Sequence, residues 1–176
     1  LISIIMIIQN FIDRDAELQE LKKTLESKKH EFIIIYGRRR IGKTELILEA
    51  TKDTNRLYYL AVGEKNLERF YELCIKQFPE SAKLKMEWEV LFDFLKTRTT
   101  AIIIDEFQNL ILEDKNILHT FQSIIDITLK SSALKLFLLG SSVSIMTSKV
   151  LAYKSPLYGR RTGSMGRKRS DRTLAQ

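Results

Sequence analysis

Glycine, lysine and threonine stand together at Gly37-Arg-Arg-Arg-Ile-Gly-Lys43-Thr44, which fits the pattern G-x-x-x-x-G-K-[ST] without a mismatch. Gly37 and Gly42 are expected to turn the backbone with positive φ and bring it close to a phosphate with no Cβ in the way. The N–H groups that follow form a nest at the start of a helix, where the dipole also favours an anion. Lys43 offers a mobile positive charge to β- and γ-phosphates, and the Thr44 hydroxyl offers a ligand to Mg²⁺. The segment therefore predicts a phosphate cradle, with a nucleotide as its ligand.

A second group with chemistry to offer is Asp105-Glu106, which closes the apolar run Thr100-Ala-Ile-Ile-Ile. Beside a phosphate cradle, Asp105 can hold Mg²⁺ through water and Glu106 can polarise an attacking water. Gly140-Ser141-Ser142 ends another apolar run, Leu134 to Leu139. A hydroxyl there can bond the attacking water or the γ-phosphate, or it can simply cap the helix expected over Val143 to Tyr153. Position alone leaves Ser141 and Ser142 open between these two roles.

The elements that must carry these residues follow from periodicity. Phe32 to Tyr36, Leu57 to Val62, Thr100 to Asp105 and Leu134 to Leu139 have the length and Ile, Leu and Tyr content of strands. Three successive isoleucines, Ile102 to Ile104, indicate a strand buried on both faces, as in a parallel sheet. Between the strands, apolar residues recur at helical spacing. Leu18, Leu21 and Leu25 follow Asp13 as N-cap, and Leu46, Ile47 and Ala50 follow Lys43. Leu67, Phe70, Tyr71, Cys74, Ile75 and Phe78 lie between Asn66 as cap and Pro79 as stop. Trp88, Leu91, Phe92 and Leu95 make a short helix, and Ile117 to Leu129 a long one. The aromatic residues and Cys74 read as core. The alternation predicts an α/β fold, a parallel β-sheet flanked by helices, with the P-loop, Asp105 and Ser141 at one sheet edge.

Composition narrows the classes. A chain of 176 residues with 44% hydrophobic and 29% charged side chains has the makeup of one globular domain with a core. A single cysteine excludes an internal disulfide and a thiolate metal cluster, and His30 and His119 read as surface residues. The apolar LISIIMII at the start is too short to span a bilayer and lacks a basic region or cleavage site. It reads as a short extension or edge strand over 1–9, with Met6 a candidate start, in a cytoplasmic protein with no membrane partner. From Lys149 onward eight basic side chains face one acid, Asp171, and these account for the whole net charge of +7. Residues 1–148 are electrically balanced, so the charge describes a tail and not the partner of the body.

Five segments in order, FIDRDAEL, YGRRRIGKTEL, AIIIDEFQNL, LFLLGSSVSIM and SPLYGRRTG, resemble the archaeal ATPase family of AAA+-related, STAND-like P-loop ATPases. The resemblance covers about Asn10 to Gly163 and implies an ASCE/AAA+-like P-loop NTPase core over 10–163. It implies ATP and Mg²⁺ as ligands, held by Gly37, Arg38, Arg39, Arg40, Ile41, Gly42, Lys43, Thr44 and Glu45. Thr44 and Asp105 would meet the metal, and Glu106 would be the Walker B base. Ser141 or Ser142 would take the sensor position, and Arg14, with Phe11 and Ile12, would border the adenine. Arg160 and Arg161 align with paired arginines, one of which could reach a γ-phosphate in cis or from a neighbouring subunit.

Members of that family usually continue with a further strand and a C-terminal helical or winged-helix region. Here residues 164–176 are polar and basic without periodicity, which reads as a disordered tail on a C-terminally truncated member. Four functions stay open on this reading. They are an Mg²⁺-dependent ATPase, a nucleotide-binding switch acting on a protein partner or on itself, an inactive remnant, and a nucleic-acid binder. The last would act through the basic tail, which lacks aromatic residues interleaved for base stacking.

Overall fold

A computed structural model describes residues 2–7, 14–160 and 164–165 of the chain. Among the described residues six strands form one sheet: β1 (Ile2–Ile7), β2 (Glu31–Tyr36), β3 (Arg56–Leu60), β4 (Ala101–Asp105), β5 (Lys135–Gly140) and β6 (Ser164–Met165). Their spatial order is β3-β4-β5-β2-β1-β6, and every neighbouring pair is parallel. The expected α/β architecture is thus the one observed. The helices between the strands are α1 (Arg14–Glu26), α2 (Lys43–Ala50), α3 (Asn66–Gln77), α4 (Trp88–Leu95), α5 (Gln108–Glu113), α6 (Ile117–Ser123) and α7 (Val143–Ile145).

The sheet divides two cores, and the pleat assigns residues to them. Ile33 and Ile35 of β2, Ile103 of β4 and Phe137 and Leu139 of β5 pack with Leu21 of α1 and with Leu46 and Ile47 of α2. Their neighbours Phe32, Ile34, Ile102, Ile104, Leu136 and Leu138 point the other way, into a larger cluster with α3, α4 and α6. Side chains alternate between faces along a strand, and both faces are covered, so the central strands read as unbroken apolar runs. Of the aromatic residues expected to be core, Phe70, Trp88, Phe92 and Phe121 are, while Tyr71 and Phe78 are half-buried at its margin: Phe70 stacks on Phe92 and lies against Trp88, and Phe121 meets Trp88, Phe92 and Phe107 edge-on or tilted. Cys74 is buried among them, and desolvation pushes its thiol up to about 12, far from a reactive thiolate.

Several expectations are corrected. The N-terminal segment, expected as a short extension or an edge strand over 1–9, is a strand but not at the edge, since β1 pairs with β2 along its length and with β6 on its other side. Regular structure also continues two residues past Gly163, where β6 pairs with β1 at Ile5 and Met6. An open strand edge offers main-chain groups to any extended partner, so this pairing needs no apolar pattern in the added strand. The rest of the basic tail lies outside the described residues. His30 is buried, not on the surface, while His119 is exposed. Asn66 is the first residue of α3 and not its cap; the carboxylate of Glu113, at the end of α5, accepts from the amides of Lys65 and Asn66 instead. The long helix expected over Ile117 to Leu129 closes in a π-helical turn, Ile124–Thr128, and α7 passes into another, Met146–Val150. Among the described residues no helix is long and apolar enough to cross a membrane.

Candidate functional site

β2 runs into the loop 37–42, and α2 begins at Lys43. Positive φ, expected at Gly37 and Gly42, falls instead at Arg40 (63°) and Gly42 (78°). The Gly37 amide still donates to the Gly140 carbonyl, 3.2 Å away, which keeps it in line with the β2–β5 ladder and moves the turn three residues on. Gly42 in the left-handed region serves as the N-cap of α2, where a side chain would be strained.

The loop, the end of β4 and the end of β5 enclose an open cavity of about 480 Å³. Arg39, Arg40, Gly42, Lys43, Thr44 and Glu45 line it from the loop side, and Asp105, Glu106 and Ser141 from the strand ends. The parallel order β4-β5-β2 puts all three strand tips on one edge, so residues 35 to 102 positions apart in sequence become neighbours. Gly37, Arg38 and Ile41 belong to the same loop without lining the cavity.

Lys43 is 6% exposed, and its ammonium donates to the carbonyls of Gly37 (2.8 Å) and Arg38 (2.7 Å). Burial draws its pKa below the ordinary lysine value, and the charges of Glu106 and Asp105 draw it back up. The Thr44 hydroxyl donates to Asp105 Oδ2 at 2.6 Å. Tyr58 of β3 donates to the same oxygen at 3.0 Å, and burial with the Asp105 charge raises the pKa of its phenol. The other Asp105 oxygen, Oδ1, accepts from the Glu106 amide at 2.8 Å.

Glu106 is held in a left-handed conformation, φ 54°, unusual for a residue with a Cβ. Its Oε2 accepts from the Ser141 hydroxyl at 2.5 Å and from the Gln108 side-chain amide. Gln108 also donates to Ser141 Oγ (3.2 Å), and its own carbonyl accepts from the Ser141 amide (3.3 Å). Arg39 Nε reaches Ser141 Oγ at 3.4 Å. Ser141 is brought to the tip of β5 by Gly140, where an added Cβ would stand 2.5 Å from the Met146 side chain. Between the two serines, Ser141 joins the carboxylate, while Ser142 faces Ser144 Oγ (3.4 Å) and makes no side-chain cap bond to α7.

Arg160 is not brought to the cavity. Its guanidinium is bidentate on Asp126, with bonds of 2.5 to 2.8 Å, and bonds the Pro156 carbonyl. Phe11, Ile12 and Arg161 lie outside the described residues, as does the side chain of Arg14. Two residues at the site have no role in the sequence reading. Tyr58 reaches Asp105 only because β3 neighbours β4. Gln108, 4% exposed, does have a trace in the sequence: a polar residue opening the first turn after a strand-end acidic pair.

Comparison with known proteins gives these contacts a context. A family described as an ATPase domain predominantly from Archaea matches residues 11–169. An uncharacterized protein of Methanocaldococcus jannaschii is 52% identical over 153 residues, which is 87% of this chain and 34% of that protein. The chain therefore spans about a third of that relative's length. An uncharacterized ATP-binding protein of the same organism is 49% identical over 37 residues, 21% of this chain and 63% of that protein. A Walker-type ATPase of Pyrococcus abyssi superposes with a TM-score of 0.61 at 22% identity, covering 86% of this chain and 52% of that one, a likeness of fold.

Proposed function

The chain belongs to the family of ATPase domains found predominantly in Archaea, and from that premise we propose that it binds ATP with Mg²⁺ and hydrolyses it. One observation carries the reading. Thr44 and Asp105, 61 residues apart, meet at 2.6 Å on the wall of a cavity that Lys43 and Glu106 also line. A loop that only turned the chain would have no reason to bring a buried lysine, a hydroxyl and two carboxylates to one opening.

The donor set suits Mg²⁺. Thr44 Oγ1 and Asp105 Oδ2 are hard oxygen donors, and no larger cluster of acidic, His or Cys residues able to hold a metal occurs among the described residues. Mg²⁺ is commonly held by one or two protein groups, with phosphate and water completing its shell. When bound it would neutralise charge on the phosphates.

Each residue then has a task. The amides of the loop and the N-terminus of α2 face the phosphates. The Lys43 ammonium, tied to two backbone carbonyls, is free to exchange one of them for a phosphate oxygen. Glu106 accepts a hydrogen bond from the water that attacks the γ-phosphorus, orienting it in line with the leaving oxygen. Ser141 holds Glu106, and Arg39 at Ser141 brings a further positive charge to that end of the cavity. Arg14 and Arg161 keep the adenine-side and γ-phosphate roles that family resemblance implies for them.

Binding is tested by titrating MgATP into the unmodified chain and into Lys43→Ala. We expect micromolar affinity for the first and a loss of at least about tenfold for the second. Equal affinity in the two, or no binding by the folded unmodified chain, would refute the reading.

A further inference from the structure

We propose that Gln108 is a positioning residue for hydrolysis, selecting which oxygen of Glu106 meets the attacking water; this rests on the ATP-hydrolysis reading above. Gln108 is buried at the first turn of α5, and its amide is engaged at both ends. Because its carbonyl oxygen accepts from the Ser141 amide, its NH₂ must be the end turned to Glu106 and to Ser141 Oγ. Glu106 Oε2 thereby takes two donors, Gln108 and Ser141. Oε1 carries no hydrogen bond among the described residues, on a side chain that lines the cavity. The carboxylate is thus pinned through one oxygen and offers the other.

The backbone supports the same division of labour. Glu106 sits at φ 54°, a conformation that needs its surroundings to maintain it, and Gln108 is two residues on in the same turn. Ser141 comes from a different strand, so one glutamine amide ties the end of β4 to the end of β5 at the reacting edge. A carboxylate turning freely would present either oxygen, and a misplacement near 1 Å can cost about a hundredfold in rate.

The test compares the unmodified chain with Gln108→Met, Ser141→Ala and the double variant, measuring MgATP affinity, KM and kcat. Methionine keeps the volume of the buried side chain but has no N–H to donate to Glu106 or Ser141. We expect kcat to fall about 10- to 100-fold in Gln108→Met, with KM and affinity within about twofold of the unmodified chain. The double variant should lose no more than about the worse single, since both act through one carboxylate oxygen. A second measurement needs no turnover: the side-chain NH₂ protons of Gln108 should exchange slowly, and faster in Ser141→Ala. Unchanged kcat in Gln108→Met, or a parallel loss of affinity and melting temperature, overturns the positioning role alone. An unmodified chain that binds MgATP without turnover overturns the hydrolysis reading and this proposal with it.

Discussion

Strands β2 and β5 lie side by side, and each end of the pair buries a lysine. At the C-terminal end Lys43 donates to two carbonyls and borders a cavity with Asp105 and Glu106. At the N-terminal end Lys135, 1% exposed and in register with Glu31, donates to the carbonyls of Ser27, Lys29 and Ala133 at 2.6 to 2.7 Å. His30 beside it donates through Nδ1 to the Leu134 carbonyl at 2.6 Å. Burial lowers the pKa of both lysines, and the shift is opposed by Glu106 and Asp105 at one end and by Glu31 at the other. What differs is spare capacity. Lys135 has given all three protons to loops it ties together, whereas Lys43 has given two and opens on space. A buried charge becomes a ligand site when some of its hydrogen bonding is still unspent.

The contrast can be broken most sharply at Glu106. Glu106→Gln keeps the volume and the Oε contact to Ser141 but removes the basic carboxylate, so turnover should drop about 100- to 1000-fold with MgATP affinity retained. Unchanged turnover would move the base elsewhere. A matched pair of variants comes next. Lys135→Met should cost about 2–3 kcal/mol of folding stability by stranding buried carbonyls, with nucleotide affinity of the folded protein intact. Lys43→Met should weaken MgATP binding by at least about tenfold at a smaller stability cost, since it strands two carbonyls beside an open cavity and not three. If both variants lose stability alike, the two ends do not differ as argued.

The smallest effect is at His30, whose pKa is lowered chiefly by desolvation, with the Leu134 carbonyl opposing the shift and the Lys135 charge adding to it. The unfolded chain then takes up a proton more readily than the folded one, so folding stability should fall as pH drops below about 6.5. The slope from this group cannot exceed about 1.4 kcal/mol per pH unit. Glu31 also faces this end, so the comparison is with His30→Gln, in which that part of the slope should vanish. An identical pH profile in the variant would assign the dependence to other groups.

What the sequence determined by itself was local. The run Phe32 to Tyr36 followed by Gly37 to Thr44 specifies strand, loop and helix through residue size and backbone freedom, and these features need no distant partner. The strand Ala101–Asp105 and its closing carboxylates were legible for the same reason, as were the two-sided burial and the parallel order. The chain's family shows in such short ordered segments.

What only the tertiary structure decided was direction. Ser141 and Ser142 are equivalent in sequence, but in the fold Ser141 reaches Glu106 on the neighbouring strand end while Ser142 faces Ser144. Tyr58 meets Asp105 because β3 is the strand next to β4, and Arg160 is taken by Asp126 because the chain after β5 returns past the end of α6. His30 reads as a surface residue until β5 closes over it, and the choice between extension and strand for the N-terminal run is made because β2 offers Ile2–Ile7 an edge. Periodicity reports which face of an element is apolar, but the partner a polar side chain finds depends on strand order and helix placement, which no local window contains.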